Sequence, residues 1–537
     1  MSTSPSSDPS PATLFSVNAN FGLPARGRAE FPDPTSLLHH LDRLGVARAL
    51  TWHISARDTD PTWGNRLLLT QLANCPAAHG RLIPALTAGA STLHEAHAMD
   101  ELKATLQQHR LRALRLFPVS LHHTLAHVEP LLAALASLQP VILIACDELT
   151  QPEELDATAA RFPHLSFILT SAAWADLPAA FDLLQRRPNV HLDTSWLHTC
   201  GTIETIARLH SPQRLVFGLG PKTNGGASLG ELTWADLDPA AREKISHRNL
   251  ESLLALLPLA LPPAPAPAEP RLWHRFLATG HCGLDILDAH GHLGPVGTWM
   301  LHRQQIEDQI AAYLPRMDRL GIRTMLVSGT HALFGDPVEG NHLLQRVAGL
   351  HPERFQGYLV FNPHYHDELL PHLDSFFAGP FFVGFKLLSS YWGVPVTDPR
   401  YRPVWQYAHQ HRLPILLHTW DDDFDLPIML DHVAAEFPGA QFILGHSGGT
   451  DPGRASALQL AQRHPNVFLE WCGSYRMTLP YEDLIRTLGP HRFLFGTDAT
   501  LHSPTWELAR FLSLDLPDEM LFPALGSNLR GILAQRR

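Results

Sequence analysis

The stretch from position 442 to position 498 decides the fold, and it contains FILGHSGG (442–449), HPNVFLEW (464–471) and HRFLFGTD (491–498). The same apolar frame occurs earlier in the chain, as FILTSAA (167–173), RPNVHLDTSW (187–196) and QRLVFGLG (213–220). The two copies lie about 270 residues apart, which is too long for a solenoid repeat and close to the length of a complete (β/α)8 barrel. The sequence therefore predicts two barrels in tandem.

Short apolar runs that alternate with helical periodicity support this fold in both halves. In the second half they are LDILDA, TMLVSG, GYLVFN, VGFKLL, PILLH, QFILGH, VFLEW and RFLFGTD. In the first half they are TLFSVNA, RALTWH, RLIPAL, LRALRLF, VILIA, SFILTS, VHLDTS and RLVFGLG. Runs without strict alternation are typical of strands buried on both faces of a parallel sheet. Eight such strands per half favour closed TIM-type barrels over an open doubly wound sheet, so we expect an α/β protein.

Composition shifts predict the domain boundaries. Residues 1–11 are Ser/Pro-rich and predict a disordered tail, and the Pro/Ala-rich segment 259–271 predicts an extended linker. The first barrel is then expected at 12–258 and the second at 272–537.

Charge, cysteine content and hydropathy limit which partners and which cellular compartment are expected. The 537-residue chain has a formal net charge of −11 and no basic run, which argues against nucleic acid and anionic membranes as partners. Its five cysteines form no C-x-x-C pair, so a disulfide framework is not expected and a reducing compartment is favoured. The longest apolar stretch, LLALLPLAL (253–261), is too short to span a bilayer. We expect a cytoplasmic protein that acts on a small molecule.

One of the three H-x-H pairs in the sequence stands at the end of a predicted barrel strand, where its imidazoles could act together. Among 34 histidines such pairs are weak evidence alone: HQH (409–411) falls in a helical pattern, and HYH (364–366) predicts a solvated loop. His290 and His292 instead end the first strand of the second barrel. Residues two apart on a strand point to the same side, so both imidazoles can face one point inside the barrel.

Three further polar residues end strands of the same barrel. His418 ends the fifth strand, His446 the sixth and Asp498 the eighth. The carboxyl ends of barrel strands converge on one face, where active sites are built. Imidazole and carboxylate ligands suit zinc, or iron, manganese or cobalt, so we predict a divalent metal at this face.

The motifs DAHGH (288–292), GFKL (384–387), LPILLHTW (413–420), ILGHSGG (443–449) and FGTD (495–498) carry a family resemblance. The second half resembles the amidohydrolase superfamily, and within it the amidohydrolase-2 group of metal-dependent hydrolases with a TIM-barrel fold. That group also includes decarboxylases similar to aminocarboxymuconate-semialdehyde and γ-resorcylate decarboxylases.

The resemblance implies a role for each residue. His290, His292, His418 and Asp498 would hold one divalent metal, with zinc expected first. His446 and Asp498 would be catalytic, and His446 could instead be a further ligand. Lys386 would contact a substrate anion or, if carboxylated, bridge a second metal.

These residues predict a mechanism and leave alternatives open. The metal would lower the pKa of a bound water to about 7, and Asp498 would take its proton. The leading expectation is hydrolysis of a C–N or C–O bond in a small amide, lactone or ester. The alternatives are non-oxidative decarboxylation of a small unsaturated or aromatic carboxylate, and a non-catalytic scaffold.

The first half keeps the strands and loses the ligands. The apolar frames place Asn18 and Asn20 against the H-x-H pair, Arg115 against Lys386, Ile144 against His418, Ser171 against His446 and Gly220 against Asp498. Asparagine is a poor ligand for these metals, and isoleucine and glycine offer none, so we expect no metal in this half. A pseudo-enzyme barrel that packs as an intramolecular dimer partner is the predicted role.

Overall fold

The computed structural model describes residues 13–257, 271–296, 305–473 and 481–537. The chain divides into two compact units, Met1–Ala268 and Glu269–Arg537. The predicted tail at 1–11 lies outside the described residues, as does all of the predicted linker except position 271.

The first unit contains a parallel barrel sheet. Its strands are β1 (Phe15–Phe21), β2 (Arg48–His53), β3 (Leu82–Pro84), β4 (Leu86–Ala88), β5 (Ala113–Leu116), β6 (Val141–Ala145), β7 (Ser166–Thr170), β8 (Val190–Asp193) and β9 (Leu215–Val216). The pairing runs β1-β2-β3 and β4 through β9 in chain order, and every pair is parallel. Val17 N donates to Phe217 O at 2.8 Å, which joins the first strand to the end of the last.

The run RLIPAL, expected as one strand, forms β3 and β4 with a break at Ala85. Pro84 has no N–H to give to the ladder, and proline inside a strand commonly interrupts it. Ala85 N still donates to Thr51 O at 2.8 Å, so the chain stays beside β2 across the break. The two short strands therefore occupy the place of one barrel strand.

Helices follow the strands of the first unit. They span Pro34–Leu44, Ser55–Asp58, Pro61–Ala73, Ser91–His94, Ala98–Gln108, Leu125–Leu135, Pro152–Arg161, Leu177–Arg186, Thr202–His210, Ala227–Trp234, Pro239–Glu243 and Asn249–Leu253. The first of them shows how local sequence sets the ends. The Asp33 side chain accepts from Ser36 N in a capping box, and Gly45 ends the helix with a φ of 75°.

The second unit contains one sheet of eight parallel strands paired in chain order. They are β10 (Ile286–Leu293), β11 (Ile322–Gly329), β12 (Phe355–Val360), β13 (Phe382–Leu387), β14 (Pro414–His418), β15 (Gln441–Gly445), β16 (Val467–Trp471) and β17 (Phe493–Phe495). Asp498 N donates to His290 O at 2.7 Å, and a bridge pairs Gly291 with Ala499, so the chain after β17 meets β10. The predicted fold class, an α/β chain of tandem TIM-type barrels, is confirmed.

The helices of the second unit span Leu272–Thr279, Ile306–Leu320, Thr330–Phe334, Pro337–Ala348, His366–Leu369, Leu373–Phe377, Ser389–Trp392, Arg402–His411, Asp431–Glu436, Asp451–Arg463, Tyr481–Leu488, Pro504–Leu512 and Asn528–Leu533. No helix in the described ranges combines the length and the hydropathy that crossing a bilayer requires.

The interior of the second barrel is an apolar layer with a polar layer at the carboxyl ends of its strands. The apolar layer takes a residue from each of the eight strands, for example Leu326 from β11 and Ile443 from β15, and Leu529 and Ile532 of the last helix pack against it. This packed layer supports the strand ends where the predicted ligands lie.

Candidate metal centre

The H-x-H pair and the aspartate come together at the carboxyl ends of β10 and β17. His292 Nε2 lies 3.1 Å and His290 Nε2 lies 3.7 Å from Asp498 Oδ1. The two imidazole rings are 5.1 Å apart between centroids, as expected for residues that face one point. Potential ligand atoms of these three buried residues all lie within 4.8 Å of one another. This cluster, His290–His292–Asp498, is named the metal triad below.

Partners at Nδ1 orient the imidazoles of the triad. Glu470 Oε2 lies 3.1 Å from His290 Nδ1, and Ser328 Oγ lies 2.8 Å from His292 Nδ1. A carboxylate at Nδ1 accepts a hydrogen bond from that nitrogen and so places the lone pair of the imidazole on Nε2. The arrangement is the one that metal-ligating histidines use.

His418 and His446 flank the triad. The His446 ring is 5.1 Å from the His290 ring and 5.0 Å from the His418 ring, between centroids. His418 ends β14, and Asp425 Oδ2 accepts from its Nδ1 at 2.8 Å. The structure thus brings all five predicted strand-end residues to one face. His418 stands outside the closest ligand cluster and reaches it through His446.

Lys386 lies inside the same polar layer. Its side chain is fully buried near the end of β13, and Nζ is 2.8 Å from His290 Nε2. Burial lowers the pKa of Lys386 to about 8, while the negative charge of Asp498 opposes that shift. The group therefore keeps an ammonium charge at neutral pH.

Burial and mutual charge set the protonation states of the triad. Burial, with the charge of Lys386, lowers the pKa of His290 well below its usual value, and burial also lowers the pKa of His292. Burial by itself would raise the pKa of Asp498, but the hydrogen bond from His292 and the neighbouring histidines hold it well below its usual range. Neutral imidazoles beside an ionised carboxylate are the forms that bind a metal.

The donor set fits a divalent cation. When Glu470 holds the proton of His290 on Nδ1, the free lone pair on Nε2 faces the Asp498 carboxylate across 3.7 Å. Two electron-rich atoms at that separation repel each other unless a positive charge lies near them. The ammonium of Lys386 supplies part of that charge, and a metal bound by the triad would supply the rest.

Sequence reasoning missed several residues that orient or adjoin the ligands. Glu470 lies within the expected strand run VFLEW, yet nothing in that run signals that its carboxylate accepts a hydrogen bond from His290. Cys472 Sγ lies 3.1 Å from His446 Nδ1 and 3.2 Å from Glu470 Oε2, and burial raises its pKa well above the usual value. Asp425 is 2 % exposed, whereas Asp421 and Asp423 of the neighbouring acidic run are exposed.

The other two H-x-H pairs, at 364–366 and 409–411, are not part of the site. His364 and His409 are exposed, His364 Nε2 contacts Trp392 O, and His409 Nδ1 accepts from Gly439 N. Neither belongs to a ligand cluster in the described part of the chain.

Left-handed backbone is shared by the two barrels at matching strand ends. His446 has a φ of 64° and its counterpart Ser171 has 62°; Asp498 has 53° and its counterpart Gly220 has 77°. A seventh-strand carboxylate also supports the same backbone in both: Glu470 Oε2 accepts from His446 N at 3.1 Å, and Asp193 Oδ1 accepts from Ser171 N at 2.9 Å. These features belong to the barrel and not to the ligands.

Among the described residues of the first barrel, no group of His, Cys, Asp and Glu side chains lies close enough together to hold a metal ion. Arg115 occupies the place of Lys386, and its Nη1 donates to Asn18 Oδ1 at 3.1 Å. Ile144, in the place of His418, is 1 % exposed within β6.

The comparisons with known proteins identify the family of the chain. A sequence model described as Amidohydrolase matches residues 20–256 and 287–529. No curated protein sequence matches the chain.

Solved structures similar to the chain each align with about half of it. The 2,6-dihydroxybenzoate decarboxylase from Rhizobium is 18% identical over 46% of this chain and 98% of its own, with a TM-score of 0.36. The 5-carboxyvanillate decarboxylase from Sphingomonas paucimobilis is 15% identical over 47% and 99%, with a TM-score of 0.37. The 4-oxalomesaconate hydratase from Rhodopseudomonas palustris is 18% identical over 47% and 96%, with a TM-score of 0.34. Because the family model covers both barrels, the chain belongs to the amidohydrolase family.

Proposed function

We propose that the second barrel is a metal-dependent enzyme that acts on a small organic carboxylate, and that its reaction is non-oxidative decarboxylation. Hydrolysis of a C–N or C–O bond at the same centre is the second candidate. The observation that carries the proposal is Lys386, a fully buried ammonium among the metal-ligating atoms.

Lys386 supports a negatively charged substrate. A buried charge is costly unless it is paired, and the described residues give its Nζ a neutral imidazole as hydrogen-bond partner. It is also the only lysine after position 268. The charge of Asp498 acts on the ammonium without a hydrogen bond to Nζ among the described residues, and a substrate carboxylate would supply a directly bonded counter-charge.

The metal triad, with His418, would hold the ion. A divalent metal there supplies Lewis acidity toward a bound carboxylate or carbonyl oxygen. Zinc is our first expectation, with manganese, iron and cobalt as alternatives that the same nitrogen and oxygen ligands accept.

Decarboxylation needs a proton donor close to the carbon that loses the carboxylate, and it does not consume water. The bond between the carboxylate carbon and its neighbour breaks, CO2 leaves, and the electron pair stays on the neighbouring carbon. Lys386 Nζ, with a pKa lowered to about 8, can deliver a proton to that carbon at neutral pH. His446, kept neutral by burial, would then orient the substrate by hydrogen bonding.

Hydrolysis is favoured by a different observation. Asp498 is held ionised beside His292, so its carboxylate is available as a general base. In that reaction Asp498 would take a proton from an attacking water and pass it to the leaving group, as the sequence analysis expected.

Metal content and products distinguish the candidates. We expect about one equivalent of divalent metal per chain, release of CO2 from a hydroxybenzoate or an unsaturated acid, and no incorporation of solvent oxygen. Incorporation of oxygen from labelled water into the product of a lactone or amide would favour hydrolysis. A protein that retains no metal would support the scaffold alternative and defeat both enzymes.

Lys386→Met tests the role of the ammonium. We expect loss of turnover with the metal content unchanged, whereas the matched control Lys244→Met, at a half-buried lysine of the first unit, should retain activity. Two metals per chain, reduced to one by Lys386→Met, would instead indicate the carboxylated lysine. The pseudo-dimer role of the first barrel stays a prediction, which expression of residues 272–537 alone would test.

A further inference from the structure

The first barrel contains a buried guanidinium that the described residues do not neutralise. Arg115 is 3 % exposed, and no carboxylate among the described residues forms an ion pair with it. Its Nη1 donates to Asn18 Oδ1 at 3.1 Å, its Nη2 lies 3.4 Å from Thr170 Oγ1, and its Nε has no partner. Burial lowers the pKa of Arg115 to about 10, so the group remains charged at neutral pH.

The first barrel has a buried cation at the fourth-strand position that Lys386 occupies in the second barrel. The fourth-strand cation contacts the first-strand polar side chain in both: Lys386 with His290, and Arg115 with Asn18. The metal-ligating side chains have gone, yet a buried cation remains. A buried charge is expensive and adds little to stability, so its retention indicates a ligand.

Aromatic rings stand beside the guanidinium. Arg115 Cζ lies 5.3 Å from the Trp52 ring centre and 5.2 Å from the Phe117 ring centre, and the two rings are 4.7 Å apart. Trp52 is 4 % exposed and its indole N–H has no partner. Arg57 Cζ lies 5.7 Å from the same Trp52 ring. The surroundings combine donors without partners, positive charge and aromatic rings of the barrel core.

The nearby acidic groups do not compete for Arg115. Asp193, Asp147 and Glu148 contribute negative charge at longer range. Asp193 accepts from Ser171 N at 2.9 Å, and Glu148 accepts from Ser120 N at 2.9 Å. None of these carboxylates forms an ion pair with Arg115 among the described residues, so its guanidinium keeps donor capacity for a ligand.

Polar side chains stand at the carboxyl ends of the strands. Asn18 and Asn20 of β1 are half-buried, and the Arg57 side chain is 34 % exposed. This is the end of the barrel at which ligands of (β/α)8 barrels bind.

We propose that the first barrel is a metal-independent binding site for a small organic carboxylate, with Arg115 on the carboxylate and Trp52 and Phe117 along the organic part. A planar guanidinium matches a carboxylate in two parallel hydrogen bonds. The barrel is then a binding domain and not only a structural remnant. This inference does not depend on the reaction of the second barrel.

Benzoate binding to the full chain tests the site. His290→Ala/His292→Ala/Lys386→Met in the second barrel and dialysis against a chelator remove binding by the metal centre and by its buried ammonium. In that background we expect titration calorimetry and tryptophan fluorescence to show one benzoate site per chain, and acetate to bind more weakly because it lacks the ring. Absence of benzoate binding, or binding of inorganic phosphate in its place, would overturn the proposal.

Two substitutions locate the site. Asn18→Asp would give Arg115 a carboxylate at the position of the present 3.1 Å contact, so benzoate affinity should fall at least about tenfold without loss of thermal stability. Arg115→Met should abolish binding, and the matched control Arg66→Met, at an exposed arginine of the same barrel, should leave it unchanged. Benzoate affinity that survives in Asn18→Asp would refute the assignment, even if Arg115→Met fails to fold.

Discussion

Substitution of Asp425 tests how the second barrel sets the tautomer and the orientation of His418. Asp425 Oδ2 accepts from His418 Nδ1 at 2.8 Å, and Asp425 Oδ1 accepts from Trp420 N at 2.9 Å. In Asp425→Asn the oxygen can keep the Trp420 bond, but the amide NH2 then faces His418 Nδ1. The imidazole must move its proton to Nε2 or rotate, and either change removes the lone pair that a metal needs.

The expected magnitude follows from this contact. Loss of a hydrogen-bonded carboxylate behind a metal-ligating histidine costs about 10- to 100-fold in metal affinity, or about 1.4–2.7 kcal/mol. Because Asn is close to Asp in volume and its oxygen can keep the hydrogen bond from Trp420 N, the fold should lose little stability. The effect should therefore appear in metal binding and not in the melting temperature.

Competition with a chromophoric chelator measures the zinc affinity of the purified full chain. The matched control is Asp423→Asn, two residues away, because Asp423 is exposed and should leave the affinity unchanged. Equal zinc affinity in Asp425→Asn and the parent, with both folded, would show that His418 is not a ligand prepared by Asp425. The four-ligand assignment would then reduce to the triad.

Three further outcomes are expected. His292→Ala should reduce bound metal from about one equivalent to a trace by elemental analysis, while His409→Ala, at an exposed histidine, should retain it. Turnover should fall as the pH rises through about 8, because the ammonium of Lys386 is lost there, and Lys386→Arg should move that limb to higher pH; a rate independent of pH from 7 to 9 would contradict the role given to Lys386. Burial raises the pKa of Asp193 to about 6, above its value in the unfolded chain. The protonated carboxyl therefore favours the folded state at low pH, and this contribution to the free energy of unfolding is lost as the pH rises from about 4 to 6. Relative to Asp193→Asn, the parent should lose up to about 3 kcal/mol of unfolding free energy over that window in chemical denaturation, and parallel curves would refute this.

The sequence predicts the barrel and the position of its site because both follow from periodicity. Apolar runs mark strands, and polar residues that end them must meet at one face, which placed His290, His446 and Asp498 together before any coordinates. The family resemblance added the ligand roles, which remain predictions for metal analysis.

What sequence reasoning missed depends on contacts between distant parts of the chain. The bond from Glu470 to His290 joins residues 180 positions apart, and no local pattern distinguishes it from any strand carboxylate. Asp425 follows three acidic residues, and only the structure shows that it alone turns inward. The contact between Arg115 and the neutral side chain of Asn18 could not be predicted either. The alignment of the two halves shows that Arg115 replaces Lys386, but it does not show what the arginine contacts.

The left-handed backbone at the eighth strand end has a consequence for folding. A non-glycine residue in that conformation costs about 1–2 kcal/mol, so the second barrel carries strain at Asp498, beside its predicted metal ligands. Glycine at position 220 avoids that strain in the first barrel. Aspartate at position 220 would therefore work against the folding of the first barrel, and the backbone that the two strand ends share opposes this predicted ligand there.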